Sequence, residues 1–147
     1  GSGHADPVGT IRASAGERLQ AFDIAPADVP DLVDELPVLA LAAALADGTS
    51  RFAGLAELRV KESDRVAAIA ELLRALSVPV EIAGDELRIT GVANFDGRAD
   101  LLHADHRLAL CAAVADHVQG HALPAELPTA AVSYPDFCGA LGRLVGG

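Results

Sequence analysis

The chain predicts an α/β fold in which mixed sheets pack on alanine-rich helices, and three observations carry that prediction. Half of the residues (51%) are apolar, yet only 3% are aromatic and Trp and Met are absent. The core must therefore be built from Ala, Leu and Val, and small side chains let helices approach a sheet or each other closely. Short alternating runs, which suit strands, interleave with longer runs of three-and-four spacing, which suit helices. The order then begins again: Leu39–Asp47 (LALAAALAD) and Leu108–Asp116 (LALCAAVAD) agree at seven of nine positions at an offset of 69, and Leu72-Leu73-Arg74 returns as Leu141-Gly142-Arg143. The Ala/Leu bias competes as an explanation of that match. A repeat of this length holding two helices is, however, a supersecondary unit that copies can stack against.

Element by element, Thr10 to Ala15 and Leu19 to Ala25 alternate around Gly16-Glu17-Arg18 and predict two short strands. Pro26 to Pro30 is a loop. Asp31 to Ala46 is nearly all apolar and too long for a strand, so it predicts a buried helix entering at Asp31 or Asp34 and ended by Asp47-Gly48-Thr49. Ser50 to Leu55 is a strand. Val66, Ile69, Leu73 and Leu76 place an amphipathic helix over Asp64 to Leu76, capped by Ser63 or Asp64. Val78 to Ile82 and Glu86 to Thr90, joined at Gly84-Asp85, predict a hairpin. Residues 6–92 thus form a first βαβαββ unit, and residues 93–147 a second, incomplete one that stops at its second helix. The opening Gly-Ser-Gly-His reads as an expression scar, and residues 1–5 are set aside.

The formal net charge of −10 argues against nucleic acid or an anionic membrane as a partner, because such binding needs a basic surface. The apolar run from Leu36 to Ala46 is too short to span a bilayer. Cys111 and Cys138 both fall among helix-like apolar residues, as reduced core thiols of a cytoplasmic protein would. No GxGxxG or P-loop pattern occurs, and no cofactor is implied. His103, Asp105 and His106 have ligand-like spacing, but no CxxC or distant third histidine closes a tetrahedron, so no metal is expected.

Cations concentrate in one place. Leu58-Arg59-Val60-Lys61-Glu62-Ser63-Asp64-Arg65 holds three cations and two carboxylates in eight residues, and Lys61 is the only lysine beside ten arginines. A lone lysine on a solvated loop is one reading; the other is a task that arginine cannot perform, since an ammonium is a compact point charge on a flexible stem. The cluster ends at a helix N-terminus, where free N–H groups and the helix dipole favour an anion and disfavour a cation. Arg65 in the first turn either pairs with Glu62 or Asp64 at the surface or faces an anionic ligand.

This octet resembles the signature segment of the 5-enolpyruvylshikimate-3-phosphate (EPSP) synthases. Asp31-Leu-Val-Asp34-Glu-Leu-Pro-Val-Leu-Ala, Asp105-His106-Arg107 and Ser133-Tyr-Pro-Asp-Phe137 resemble three further segments of that family, in the family's order. The resemblance runs from about Asp6 to the C-terminus, which in the family is only the last third of a two-domain enzyme. It implies an enolpyruvyl-transferase-like fold of βαβαββ units. It also implies transfer of the enolpyruvyl group of phosphoenolpyruvate to the 5-hydroxyl of shikimate 3-phosphate, with release of phosphate, in aromatic amino acid biosynthesis. The implied partners are those two anions and the enzyme's missing N-terminal domain, and a fragment alone is expected to be inactive.

By the same resemblance Asp34 contacts the sugar-like hydroxyls and is a candidate proton acceptor; an ordinary helix cap is the alternative. Lys61 stands beside the shikimate phosphate and the reacting centre, Glu62 exchanges a proton with the enolpyruvyl methylene, and Arg65 and Arg107 bind phosphoenolpyruvate. Glu62, flanked by Lys61 and Arg65, should stay ionised until substrate anions occupy those cations, since one charge at 4 Å is worth roughly 4 kcal/mol at an effective dielectric of 20. Arg107 repeats the first-turn position of Arg65, so two arginines can converge on one anion; two surface ion pairs are the competing account. One departure is Val132, where some members carry a phosphate-side lysine, and Glu57 replaces an asparagine of some members and is left out of the site. Two other classes compete: a standalone, non-catalytic module of this fold that binds an anion or a protein, and an enolpyruvyl transferase acting on a nucleotide sugar, against which Lys61-Glu62-Ser63-Asp64-Arg65 argues.

Overall fold

The structure is a computed structural model that describes residues 8–145 apart from residues 11, 15 and 60–63. In chain order it contains β1 (Asp23–Ile24), α1 (Val29–Leu32), α2 (Leu36–Ala43), β2 (Thr49–Phe52), a 3₁₀ turn (Ala56–Arg59), α3 (Arg65–Ala75), β3 (Val80–Ala83), β4 (Glu86–Thr90), α4 (His106–Val118) and α5 (Phe137–Val145). The strands form one mixed sheet of order β1-β2-β4-β3, with β1 parallel to β2 and both other pairings antiparallel. With α1 and α2 counted together, the order through β4 is strand, helix, strand, helix, strand, strand. Among the described residues beyond β4 only helices are added.

The sheet's two faces differ as its alternation requires. Phe52, Leu87 and Ile89 point into the core, where α2, α3 and α4 cover them. On the other face the register sets Asp23, Arg51, Arg88 and Glu81 in one row across all four strands. Glu86 lies beside that row, 2.5 Å from Arg51 and 2.6 Å from Arg88. Ser50 is a polar residue on the buried face; its hydroxyl accepts the Phe22 N–H at 3.1 Å and so satisfies a backbone donor where β1 begins. The hairpin turns through Gly84 at φ +64°, the position where a two-residue II′ turn requires glycine.

The helices meet through alanine. Ala40, Ala43, Ala112 and Ala115 are fully buried, and α2 packs against α4. The two repeated stretches are thus the two helices in contact. Each repeat's aspartate also takes an arginine from the segment before its helix: Arg18 reaches Asp47 and Arg98 reaches Asp116, both at 2.6 Å. The repeat is not exact, since α2 stops at Ala43 and Asp47 follows it, whereas α4 runs on past Asp116.

Three expectations need correction. The single helix over Asp31 to Ala46 is two helices, with Val33, Asp34 and Glu35 as the turn between them. Pro37 is the cause: it has no N–H for the Val33 carbonyl and its ring would crowd that carbonyl, whereas the first turn of a new helix tolerates it. The strand over Thr10 to Ala15 is not found among its described residues. Its alternation rests on Ile11 and two alanines, so pairing would bury little. The strand over Leu19 to Ala25 shrinks to Asp23–Ile24 with an isolated bridge from Gln20 to Asp47.

At its far end α3 is closed by a Schellman pair, the Val78 N–H to the Leu73 carbonyl and the Ser77 N–H to the Arg74 carbonyl, with Ser77 at φ +60°. No helix among the described residues is long and apolar enough to cross a membrane.

Candidate active site

Asp34 is held out by the turn between α1 and α2, and its carboxylate joins two arginines from elsewhere in the chain. Oδ2 lies 3.1 Å from Nη2 of Arg107, and Oδ1 lies 3.6 Å from Nη1 of Arg65. Arg65 opens α3 and Arg107 is the second residue of α4. Each helix is capped independently: Asp64 accepts the Ala67 N–H at 2.9 Å, and Asp105 accepts the Arg107 N–H at 2.9 Å. The caps fix the direction of both first turns, so two guanidiniums and two helix N-termini face the same place.

A cation in a first turn is unfavourable unless an anion answers it, and Asp34 is that anion for both arginines. The choice left open for Arg65 is resolved against its sequence neighbour Asp64, whose carboxylate serves the cap and lies 3.7 Å from Arg59. The capping alternative for Asp34 is not what the structure contains. Glu35 holds the N-cap position of α2, without a side-chain cap bond.

Lys61 and Glu62 lie outside the described residues. The described residues on either side of them are anchored. Leu58 is buried, Arg59 donates from Nη1 to the Gly84 carbonyl at 2.5 Å, and its Nε faces Asp64. Arg59 thus ties the 3₁₀ turn to the β3–β4 turn and to the α3 cap. The terminal segment arrives at the same place through Phe137, which stacks edge-on against Tyr134 with ring centroids 5.8 Å apart. Together with Asp34, Pro37, Leu41, Arg107 and Cys111 it lines a groove of about 280 Å³. Segments far apart in the sequence thus meet at one surface.

Sequence reasoning counted Arg59 among the octet's cations but passed over Cys111 as a neighbour of the site. Cys111 stands one helical turn after Arg107, a spacing that puts both on one face. Burial, aided by the charge of Asp105, pushes its thiol up to about 12, so it stays protonated and unreactive. His103 accepts the Asp105 N–H through Nδ1 at 3.1 Å, which supports the α4 cap. Val132 is exposed and supplies no charge, and Glu57 sits exposed in the 3₁₀ turn.

Residues 5–141 match the family model described as EPSP synthase (3-phosphoshikimate 1-carboxyvinyltransferase). The chain belongs to the EPSP synthase family. It is 49% identical over 140 residues to a 3-phosphoshikimate 1-carboxyvinyltransferase of Thermus thermophilus, covering 95% of this chain and 32% of that one. It is 44% identical over 144 residues to the enzyme of the same name from Limosilactobacillus fermentum, with 96% and 33% covered. The chain thus spans about a third of the length of the curated relatives it matches, and the match is to a C-terminal part. Among solved structures, an EPSP synthase from Acinetobacter baumannii superposes with a TM-score of 0.69 at 27% identity, over 87% of this chain and 30% of that one. The fold is that of an enolpyruvyl transferase.

Proposed function

We propose that this chain is the C-terminal part of a cytoplasmic enzyme that transfers the enolpyruvyl group of phosphoenolpyruvate to the 5-hydroxyl of shikimate 3-phosphate. In that reaction the hydroxyl oxygen bonds to C2 of phosphoenolpyruvate while C3 gains a proton. The tetrahedral adduct then expels phosphate as C3 gives a proton back. The substrates are anionic, so the site needs fixed cations, a base at the hydroxyl and a group exchanging protons with C3. Arg65 and Arg107 supply the cations for phosphoenolpyruvate, Asp34 holds and deprotonates the hydroxyl, Lys61 neutralises charge at the reacting centre and Glu62 exchanges the C3 proton. Asp34 and Arg65 from the first unit and Arg107 from the second lie together, and the rest of the enzyme, as the opposite wall of a cleft, completes the grip on shikimate 3-phosphate.

The observation that carries this reading is the meeting of Asp34, Arg65 and Arg107, three residues at family-motif positions on three different elements. The chain alone leaves the reacting groups in water, where the arginines are screened and the two substrates are not held in attack geometry. Titration with phosphoenolpyruvate and shikimate 3-phosphate, followed by NMR, should shift amides around Arg65 and Arg107, with no phosphate released. Shifts confined to other surfaces would sink the assignment. Turnover by the chain alone, abolished by Lys61→Ala, would show that it needs no opposite wall.

A further inference from the structure

We infer that Asp34 is a built-in counter-ion of the arginine pair: an anion docking on Arg65 and Arg107 must break or share both ion pairs of Asp34, which lowers the anion affinity of the site. The inference rests on the reading of those arginines as the phosphoenolpyruvate site and adds how that site is regulated. Each carboxylate oxygen of Asp34 faces a different guanidinium, at 3.1 and 3.6 Å, so one group occupies the bridging position that a substrate carboxylate or phosphate would take.

Asp34 is free to leave that position. Its side chain is 57% exposed, it lies in a turn, it caps neither α1 nor α2, and among the described residues its side chain has no partner beyond the two arginines. The arginines do not depend on it for their placement, because Asp64 and Asp105 hold the first turns of α3 and α4. Competition between a half-exposed carboxylate and an incoming anion for two shared cations therefore moves the affinity without moving the fold.

The test is a calorimetric titration of the 147-residue chain with phosphoenolpyruvate, and with inorganic phosphate as a simpler probe, at low ionic strength. Asp34→Asn keeps the shape and removes the charge. It should bind phosphoenolpyruvate about three- to tenfold more tightly than the wild type, the range expected for deleting one like charge at a partly screened site. Asp34→Glu should stay near wild type, and Arg65→Gln/Arg107→Gln should lose binding in either background. Asp34→Ser serves as a second neutral variant if circular dichroism shows that Asp34→Asn is misfolded. Unchanged or weaker binding by the folded neutral variant, with binding still lost in the double arginine variant, overturns the counter-ion and leaves the arginine site standing. Binding that survives the double arginine variant, or is absent throughout, overturns the site itself and the counter-ion with it.

Discussion

Gly91→Ala should cost this chain about 3 kcal/mol, and the reason lies where β4 meets the end of α2. A Cβ at residue 91 would sit 1.7 Å from the Ala46 carbonyl oxygen and 3.2 Å from that of Ala43. Both obstacles are backbone, so no rotamer change relieves them. The Ala46 oxygen would have to retreat to at least 3.0 Å, and that movement pulls on the bonds that fasten this corner, Gly91 N–H to the Gly48 carbonyl and Val92 N–H to the Ala44 carbonyl. Overpacking costs about 1–3 kcal/mol, and two weakened hydrogen bonds add about 1 kcal/mol each. Some relaxation brings the total to about 3 kcal/mol, a large part of a typical domain's stability. With a urea slope of about 1.5 kcal/mol per molar, the unfolding midpoint should fall by about 2 M. Gly142→Ala is the internal control: nothing lies within 4 Å of its Cβ inside α5, so the same change there should stabilise by about 0.5–1 kcal/mol. A loss below about 1 kcal/mol at Gly91, or equal effects at the two glycines, would refute the close approach.

Arg107→Gln should weaken phosphoenolpyruvate binding about tenfold while changing stability by less than about 0.5 kcal/mol, because its partner Asp34 is half-exposed; calorimetry and urea unfolding on one sample read both. Ser50→Ala should cost about 1–3 kcal/mol in urea unfolding, since it leaves the Phe22 N–H without its acceptor beside the core. Acid should unfold the chain earlier than its exposed charge alone requires. The hydrogen bond from Arg88, helped by Arg51, holds Glu86 below the ordinary carboxylate range. For Asp116 burial pushes upward, but Arg98 and His121 together outweigh it. Both folded-state values are depressed, so their stabilisation is complete above about pH 5 and is lost as pH falls through about 4 and below. A circular-dichroism acid titration should show Asp116→Asn with a flatter profile there, and an unchanged profile would contradict the linkage.

Secondary structure was legible wherever bulky residues carried the pattern. Val66, Ile69, Leu73 and a cap at Ser63 or Asp64 located α3 to within a residue, and Gly84-Asp85 located the hairpin, because these signals are local. Alanine-carried patterns were less dependable. Thr10 to Ala15 alternates, but alanine buries too little for the alternation to demand a partner. The Asp31 to Ala46 run concealed a break because apolar content outweighed Pro37 in fixing its length, although a proline four residues after Val33 forbids the bond that one continuous helix needs.

That break is also why the site was only half legible. The residue types and the first-turn positions of both arginines could be read directly, whereas the caps, Asp64 rather than Ser63 for α3 and Asp105 for α4, came from the structure. The partner of the arginines could not be read either. In a continuous helix Asp34 would be locked to one helical face; the turn that Pro37 forces swings it outward, to 3.6 Å from Arg65 and 3.1 Å from Arg107. A proline that looked like an interruption of the core helix thus positions the carboxylate, through a backbone constraint that acts on α2 before any substrate is considered. Replacing Pro37 with Ala should lengthen the helix through residues 33–36 and draw Asp34 away from one arginine, which amide shifts at Arg65 and Arg107 would register. Unchanged shifts at both would mean that something other than Pro37 holds the turn.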